Sequence, residues 1–210
     1  MIRAAWLGTA AALTFGVGAI AVEGAPPSGL AGPVLSLADT GGNFTAALER
    51  LSGGGTLYVP PGVWTTGPVN LTSGLTLYLA RNATVKAIPS EDWPLLPPLS
   101  IYGVGHDHPG PRHAPFLGGW NVSKLTITGE NGTIDGSGEF WWKRKDTETH
   151  TRPSLFECVG CTDVLMEDVT FANRCVFLCL SFLSSPLPPT HRFSPTTPPC
   201  TAGFGSSIRS

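Results

Sequence analysis

Several side chains in this chain have chemistry that can be named before any fold is. Asp135, Glu139, Glu148 and Glu157, followed by Asp163, Glu167 and Asp168, are of the type used for acid–base work, which needs two carboxyls held at a fixed separation. Their placement does not supply such a pair. Asp135 lies between a strand-like segment and Gly136, the position of a turn former. Asp163 and Asp168 flank one strand and project differently, and the glutamates are scattered. No catalytic residue is therefore assigned. Lys143-Arg144-Lys145, with Arg152, forms a basic cluster, and Lys143, Arg144 and Arg152 are the candidate contacts for an anionic ligand. Against that stands the usual fate of a charge run, a solvated loop. Cys158-x2-Cys161-x13-Cys175-x3-Cys179 has the spacing of a four-cysteine zinc site. It joins two stretches of different character in a chain that reads as exported, so no metal or other cofactor is expected. A local Cys158–Cys161 bridge is one pairing among several, and the five cysteines leave one over.

The elements that would carry these groups are short strands and corners. Thr56-Leu-Tyr-Val59 ends at the Pro60-Pro61-Gly62 turn. Leu75-Thr-Leu-Tyr-Leu79 and Ala83-Thr-Val-Lys86 follow, and their order returns in Leu125-Thr-Ile127 with Gly132-Thr-Ile134, then in Val164-Leu-Met166 with Val169-Thr-Phe171. Leu75, Leu125 and Val164 are separated by 50 and 39 residues, read as two coils each of a solenoid with about 20–25 residues per coil. One coil cannot bury its own apolar face, whereas stacked coils can. The fold expected is all-β, a parallel β-helix. Asn43 would cap a short helix with Phe44, Leu48 and Leu51 on one face, closing the N-terminal end of the stack. The run Gly132-Thr-Ile-Asp-Gly-Ser-Gly-Glu-Phe-Trp-Trp142 reads as a strand, a tight corner and a second strand exposing large rings. Residues 88–115, rich in proline, form an excursion between coils. Trp93 and Tyr102 there, and Trp120 just beyond, would either stack on a ligand or anchor the loop.

With 26 Gly, 20 Pro and only 13% charged residues among 210, the composition favours strands and turns over helices. A net charge of -2 gives no global basic field, so neither nucleic acid nor an anionic membrane is expected as a partner. Residues 1–24 read as a signal peptide: Arg3, an apolar stretch, and Ala19-Ile20-Ala21 as a small-x-small cleavage site. The apolar stretch is long, so a retained membrane anchor is the alternative. Residues 25–33 form a linker. Five of the six asparagines, Asn43, Asn70, Asn82, Asn121 and Asn131, stand in N-x-Ser/Thr sequons and are expected to be glycosylated in an extracellular or cell-wall protein. Asparagine's liking for turns is the bland alternative. Beyond Arg174 the pattern dissolves, and residues 174–210 read as a low-complexity, disordered tail. Arg174-Cys175-Val176 can be encoded by a splice-donor sequence, so translated intron is the expected origin of that tail.

Residues 34–173 resemble the N-terminal part of the plant-type polygalacturonases, glycoside hydrolase family 28. The resemblance rests on Gly54-Gly-Thr-Leu-Tyr-Val-Pro-Pro-Gly62, Gly67-Pro-Val-Asn-Leu-Thr-Ser73, Asp92-Trp-Pro-Leu-Leu-Pro-Pro98, Ile127-Thr-Gly-Glu-Asn-Gly-Thr-Ile-Asp-Gly136 and Arg152-Pro153. It implies a right-handed parallel β-helix, here incomplete, from a secreted and monomeric hydrolase of α-1,4-galacturonosyl links in pectin, acting with inversion. Polygalacturonate would be its partner, with a membrane involved only if the leader is retained. The family's Asn-Thr-Asp, Asp-Asp, Gly-His-Gly and Arg-Ile-Lys signatures are missing from these 210 residues. The chain alone is therefore expected to be inactive. A truncated, non-catalytic β-helix that at most binds pectin, and a calcium-dependent pectate lyase-like β-helix, are the alternatives.

Overall fold

The computed structural model describes residues 25–98, 110–144, 146–173 and 179–181. The leader, the rest of the tail, Tyr102, Lys145 and Cys175 lie outside the described residues.

The basic coil is visible at once. β1 (Val34–Ser36) pairs with β2 (Gly55–Val59), and β2 continues through β3 (Gly62–Thr66) and β4 (Val69–Asn70). The next coil is β5 (Leu75–Leu79), β6 (Ala83–Ala87) and, after an excursion containing β7 (Leu95–Leu96) and β8 (Arg112–His113), β9 (Leu117–Trp120). A third runs through β10 (Ser123–Gly129), β11 (Gly132–Asp135), the helix α2 (Gly138–Lys143) and β12 (Phe156–Val159). A fourth is β13 (Thr162–Met166), β14 (Val169–Ala172) and β15 (Cys179–Ser181). Strands stack in parallel into three sheets: β1-β2-β5-β10-β13, β14-β11-β6-β3 and β15-β12-β9-β4. This is a parallel β-helix.

The register corrects the coil count. Thr76 pairs directly with Thr126 and Leu125 with Val164, so the intervals of 50 and 39 residues are one coil each, not two. The uninterrupted coil is 20 residues, as Gly55 opposite Leu75 shows. The excess is inserted between the second and third sheets, where a loop can leave and return without disturbing the stack. β15 also adds a strand within the stretch read as a disordered tail, pairing Cys179–Ser181 with Glu157–Val159.

Alternation explains the interior. Leu57, Leu77, Ile127 and Met166 occupy one stacked rung and are all buried. Each such side chain contributes about 1.5–3 kcal/mol on burial. On the outer face of the same strands, Tyr58 and Tyr78 stack with centroids 6.0 Å apart. Asn82, Asn131 and Asp168 each turn the corner into the second sheet at positive φ, a conformation short polar side chains tolerate. Gly55 is required by close approach: at φ 140°, a Cβ there would lie 2.5 Å from the Pro33 carbonyl oxygen.

The capping helix α1 spans Phe44–Arg50 as expected. Asn43 Oδ1 accepts from Ala46 N–H, and Phe44, Leu48 and Leu51 join the core. The Trp-Trp run departs from expectation, because residues 138–143 are helical rather than a second strand. That turn buries Trp141 completely and leaves only Trp142 half exposed.

Candidate functional site

The outer face of the third sheet is covered by the two excursions. β8 is held antiparallel to β7 and bridges Thr151 in parallel. His113 N–H donates to the Thr151 carbonyl at 2.9 Å. Beneath this seam Arg112 Nη1 donates to Glu157 Oε2 at 2.8 Å, with both side chains buried. Arg112 Nε also reaches the Pro97 carbonyl. Burial pushes the Glu157 carboxyl above its usual range, and the Arg112 guanidinium opposes that only in part.

Aromatic rings pack the same seam. Trp93 stacks on Phe116 and meets Trp141 edge-on, so of the two readings for Trp93, loop anchor is the one realised. Trp141 in turn lies 4.7 Å from the His113 ring, which is 5.8 Å from His150. Glu148 stands against both histidines: its Oε1 is 3.4 Å from His113 Nε2 and 3.5 Å from His150 Nδ1. Oε1 also accepts from the backbone N–H groups of Thr149 and His150. Burial alone would raise the Glu148 pKa; these hydrogen bonds and the His113 ring outweigh it and hold the carboxyl below its ordinary range. A cleft of about 410 Å³ opens beside the group, lined also by Glu91, Leu95 and Arg144.

The basic residues singled out from sequence do not converge. Lys143 Nζ is 2.6 Å from Glu139, one helical turn earlier. Arg144 Nε donates to Glu91 Oε1, and its guanidinium lies over the Phe140 ring. Arg152 is buried, with its guanidinium over the Trp142 ring. Each of the three meets a different neighbour.

Asp135 behaves as a turn former. Its Oδ1 accepts from Ser137 N–H and its Oδ2 from Asn173 Nδ2, beside a cleft of about 490 Å³ that Lys86 and Glu139 also line. Cys158 and Cys161 form a disulfide, which removes two of the four thiolates the zinc spacing would need. All five sequon asparagines are exposed. Asn82, Asn121 and Asn131 also sit at positive φ, which is a separate physical reason for asparagine there. Among the described residues, no helix is long and apolar enough to cross a membrane.

The grouping of His113, Glu148 and His150 was missed from sequence. Its one local trace is Glu148-x-His150, two candidate ligands separated by one residue.

No protein-family model matches the chain. Over 140 residues it is 41% identical to a "Probable polygalacturonase" of Vitis vinifera, a match that takes in 62% of this chain and 28% of that protein. A hyperthermoactive exopolygalacturonase from Thermotoga maritima shares its fold with a TM-score of 0.58 at 24% identity, over 74% of this chain and 44% of that one. The polygalacturonase of Erwinia carotovora subsp. carotovora does so with a TM-score of 0.50 at 19% identity, over 73% and 45%. The chain thus spans 28% of the length of the curated relative and less than half of each of these two polygalacturonase structures, and it is similar, in sequence and in the stacking of its coils, to part of a polygalacturonase β-helix.

Proposed function

We propose that this chain forms the N-terminal coils of a secreted polygalacturonase-type hydrolase whose substrate is the α-1,4-linked galacturonic acid of pectin. The 41% identity to a plant protein described as a probable polygalacturonase carries the reading. By the same resemblance, the reaction is inverting hydrolysis. An inverting pair needs two carboxyls roughly 6.5–9.5 Å apart, with water between them. Along both clefts described here, the carboxylates are already engaged: Asp135 by Asn173 and Ser137, Glu139 by Lys143, Glu91 by Arg144, and Glu148 by its histidines. With the family's Asn-Thr-Asp, Asp-Asp, Gly-His-Gly and Arg-Ile-Lys signatures absent from these 210 residues, the chain alone is read as unable to cleave polygalacturonate and at most able to bind it.

Purified chain, checked for folding by circular dichroism, tests this on immobilised and soluble polygalacturonate. Retention without release of reducing ends is expected. Release of reducing ends would overturn the inactivity and leave the substrate reading intact. Failure of the folded chain to be retained would overturn the substrate reading. Unsaturated, ultraviolet-absorbing ends would instead favour the lyase alternative. Export is tested by expression with the native leader in a eukaryotic secretory host. Glycosylated protein is expected in the medium, and unmodified protein inside the cells would overturn that part.

A further inference from the structure

We propose that His113, Glu148 and His150 form a binding site for one divalent transition-metal ion, with Zn²⁺ the best fit. The site goes beyond the pectin reading and does not depend on it. Their candidate ligand atoms all lie within 4.8 Å of one another. The two separations from Glu148 Oε1, 3.4 Å to His113 Nε2 and 3.5 Å to His150 Nδ1, are close to those of a metal's own donor shell. Tetrahedral zinc with ligands at about 2.0–2.2 Å sets neighbouring donors roughly 3.3–3.5 Å apart.

A second observation points the same way. His113 is 3% exposed; its Nδ1 has no hydrogen-bond partner, and its Nε2 has only the long 3.4 Å approach of Glu148 Oε1. An imidazole buried with one nitrogen orphaned and the other only distantly approached recovers little of its lost hydration, and Nε2 faces the Glu148 carboxylate. Coordination would satisfy it. The other two ligands are oriented in advance. Glu148 Oε1 is pinned by the Thr149 and His150 N–H groups at 3.0 and 3.1 Å, the kind of outer support that ligating carboxylates receive. His150 Nδ1 also lies 3.1 Å from Thr149 Oγ1, a hydroxyl that rotates freely and can yield to an ion. Two imidazoles and one carboxylate suit zinc and its neighbours, whereas calcium and magnesium call for more oxygen ligands. A fourth position faces the adjoining cleft, where water would complete the shell. The ion would tie β8 to the segment leading into Thr151, two pieces of chain from different coils.

The full chain, stripped with a chelator, is titrated with Zn²⁺ against a chromophoric competitor and separately with Co²⁺. One equivalent of Zn²⁺ and the visible absorption of a tetrahedral Co²⁺ complex are expected. His150→Ala and Glu148→Gln should each weaken Zn²⁺ binding by about tenfold or more. Both positions lie at the cleft edge, so folding is checked by circular dichroism before binding is scored. The double variant His106→Ala/His108→Ala, which lacks the chain's neighbouring histidines, should bind as the parent does. Stoichiometry well below one, unchanged affinity in folded His150→Ala, or loss of binding in the His106/His108 variant would each overturn the site.

Discussion

Arg112 on β8 and Glu157 on β12 meet at 2.8 Å with 7% and 2% of their side chains exposed, and this pair fastens the first excursion to the third sheet. Glu157→Ala would leave a buried guanidinium without its counter-charge, which costs about 3–5 kcal/mol. Replacing both partners by methionine removes the charge and the need together, so the double variant should regain most of that loss. Urea unfolding of the parent, the single and the double variants measures it. A double variant as unstable as the single would contradict the account.

The same glutamate predicts the direction of a pH effect. Its folded pKa is raised above 4.5, so above that pH the folded chain keeps a proton the unfolded chain has released. The stability this group contributes is complete below the unfolded pKa and declines as pH rises through the folded one. Glu157→Gln carries the neutral form at every pH. The unfolding free energy of the parent minus that of Glu157→Gln should therefore fall from about pH 4.5 upward, and a flat or rising difference would count against the assignment.

The two adjacent tryptophans should differ widely. Trp141→Ala empties a fully buried site among Trp93, Phe140 and His113, and about 3–5 kcal/mol of stability should go with it. Trp142 is 50% exposed over the Arg152 guanidinium, a contact of about 0.5–1 kcal/mol. Thermal unfolding of the two variants ranks them; equal losses would contradict the geometry.

Gly160 turns a corner at φ 67°, where a Cβ would come within 2.3 Å of Asn121 Oδ1. Gly160→Ala should cost the backbone strain of about 1–2 kcal/mol plus the displacement of Asn121. Introduced into the Asn121→Ala background, Gly160→Ala should cost the strain alone. A double-mutant cycle read by denaturant unfolding separates the two, and strict additivity would show that no contact was relieved.

Much of the coil grammar was legible in the chain. Leu75-Thr-Leu-Tyr-Leu79 alternates as it does because one face is inside the stack, and Asn43 caps its helix through a bond to Ala46, three residues on. The coil count was not legible, since an inserted loop and an additional coil lengthen the interval between Leu75 and Leu125 alike. Trp141 was read as exposed because aromatic character does not report which way a short helix turns its ring. The candidate site was hardly legible at all. Glu148 and His150 are sequence neighbours, but His113 comes from another excursion and joins them only through the bridge between Arg112 and Thr151.

What the sequence by itself determined is therefore local: strand alternation, corner residues able to take positive φ, and the helix cap. These preferences act over a few residues, and neighbouring side chains suffice to express them. What only the tertiary structure decided is which strands stack, that the excursions meet over the third sheet, and which partner each charged group takes. Those outcomes depend on pairing segments far apart in the chain, where burial of the stacked faces selects the register. The pairing of Arg112 with Glu157, and the meeting of His113 with Glu148 and His150, follow from that register.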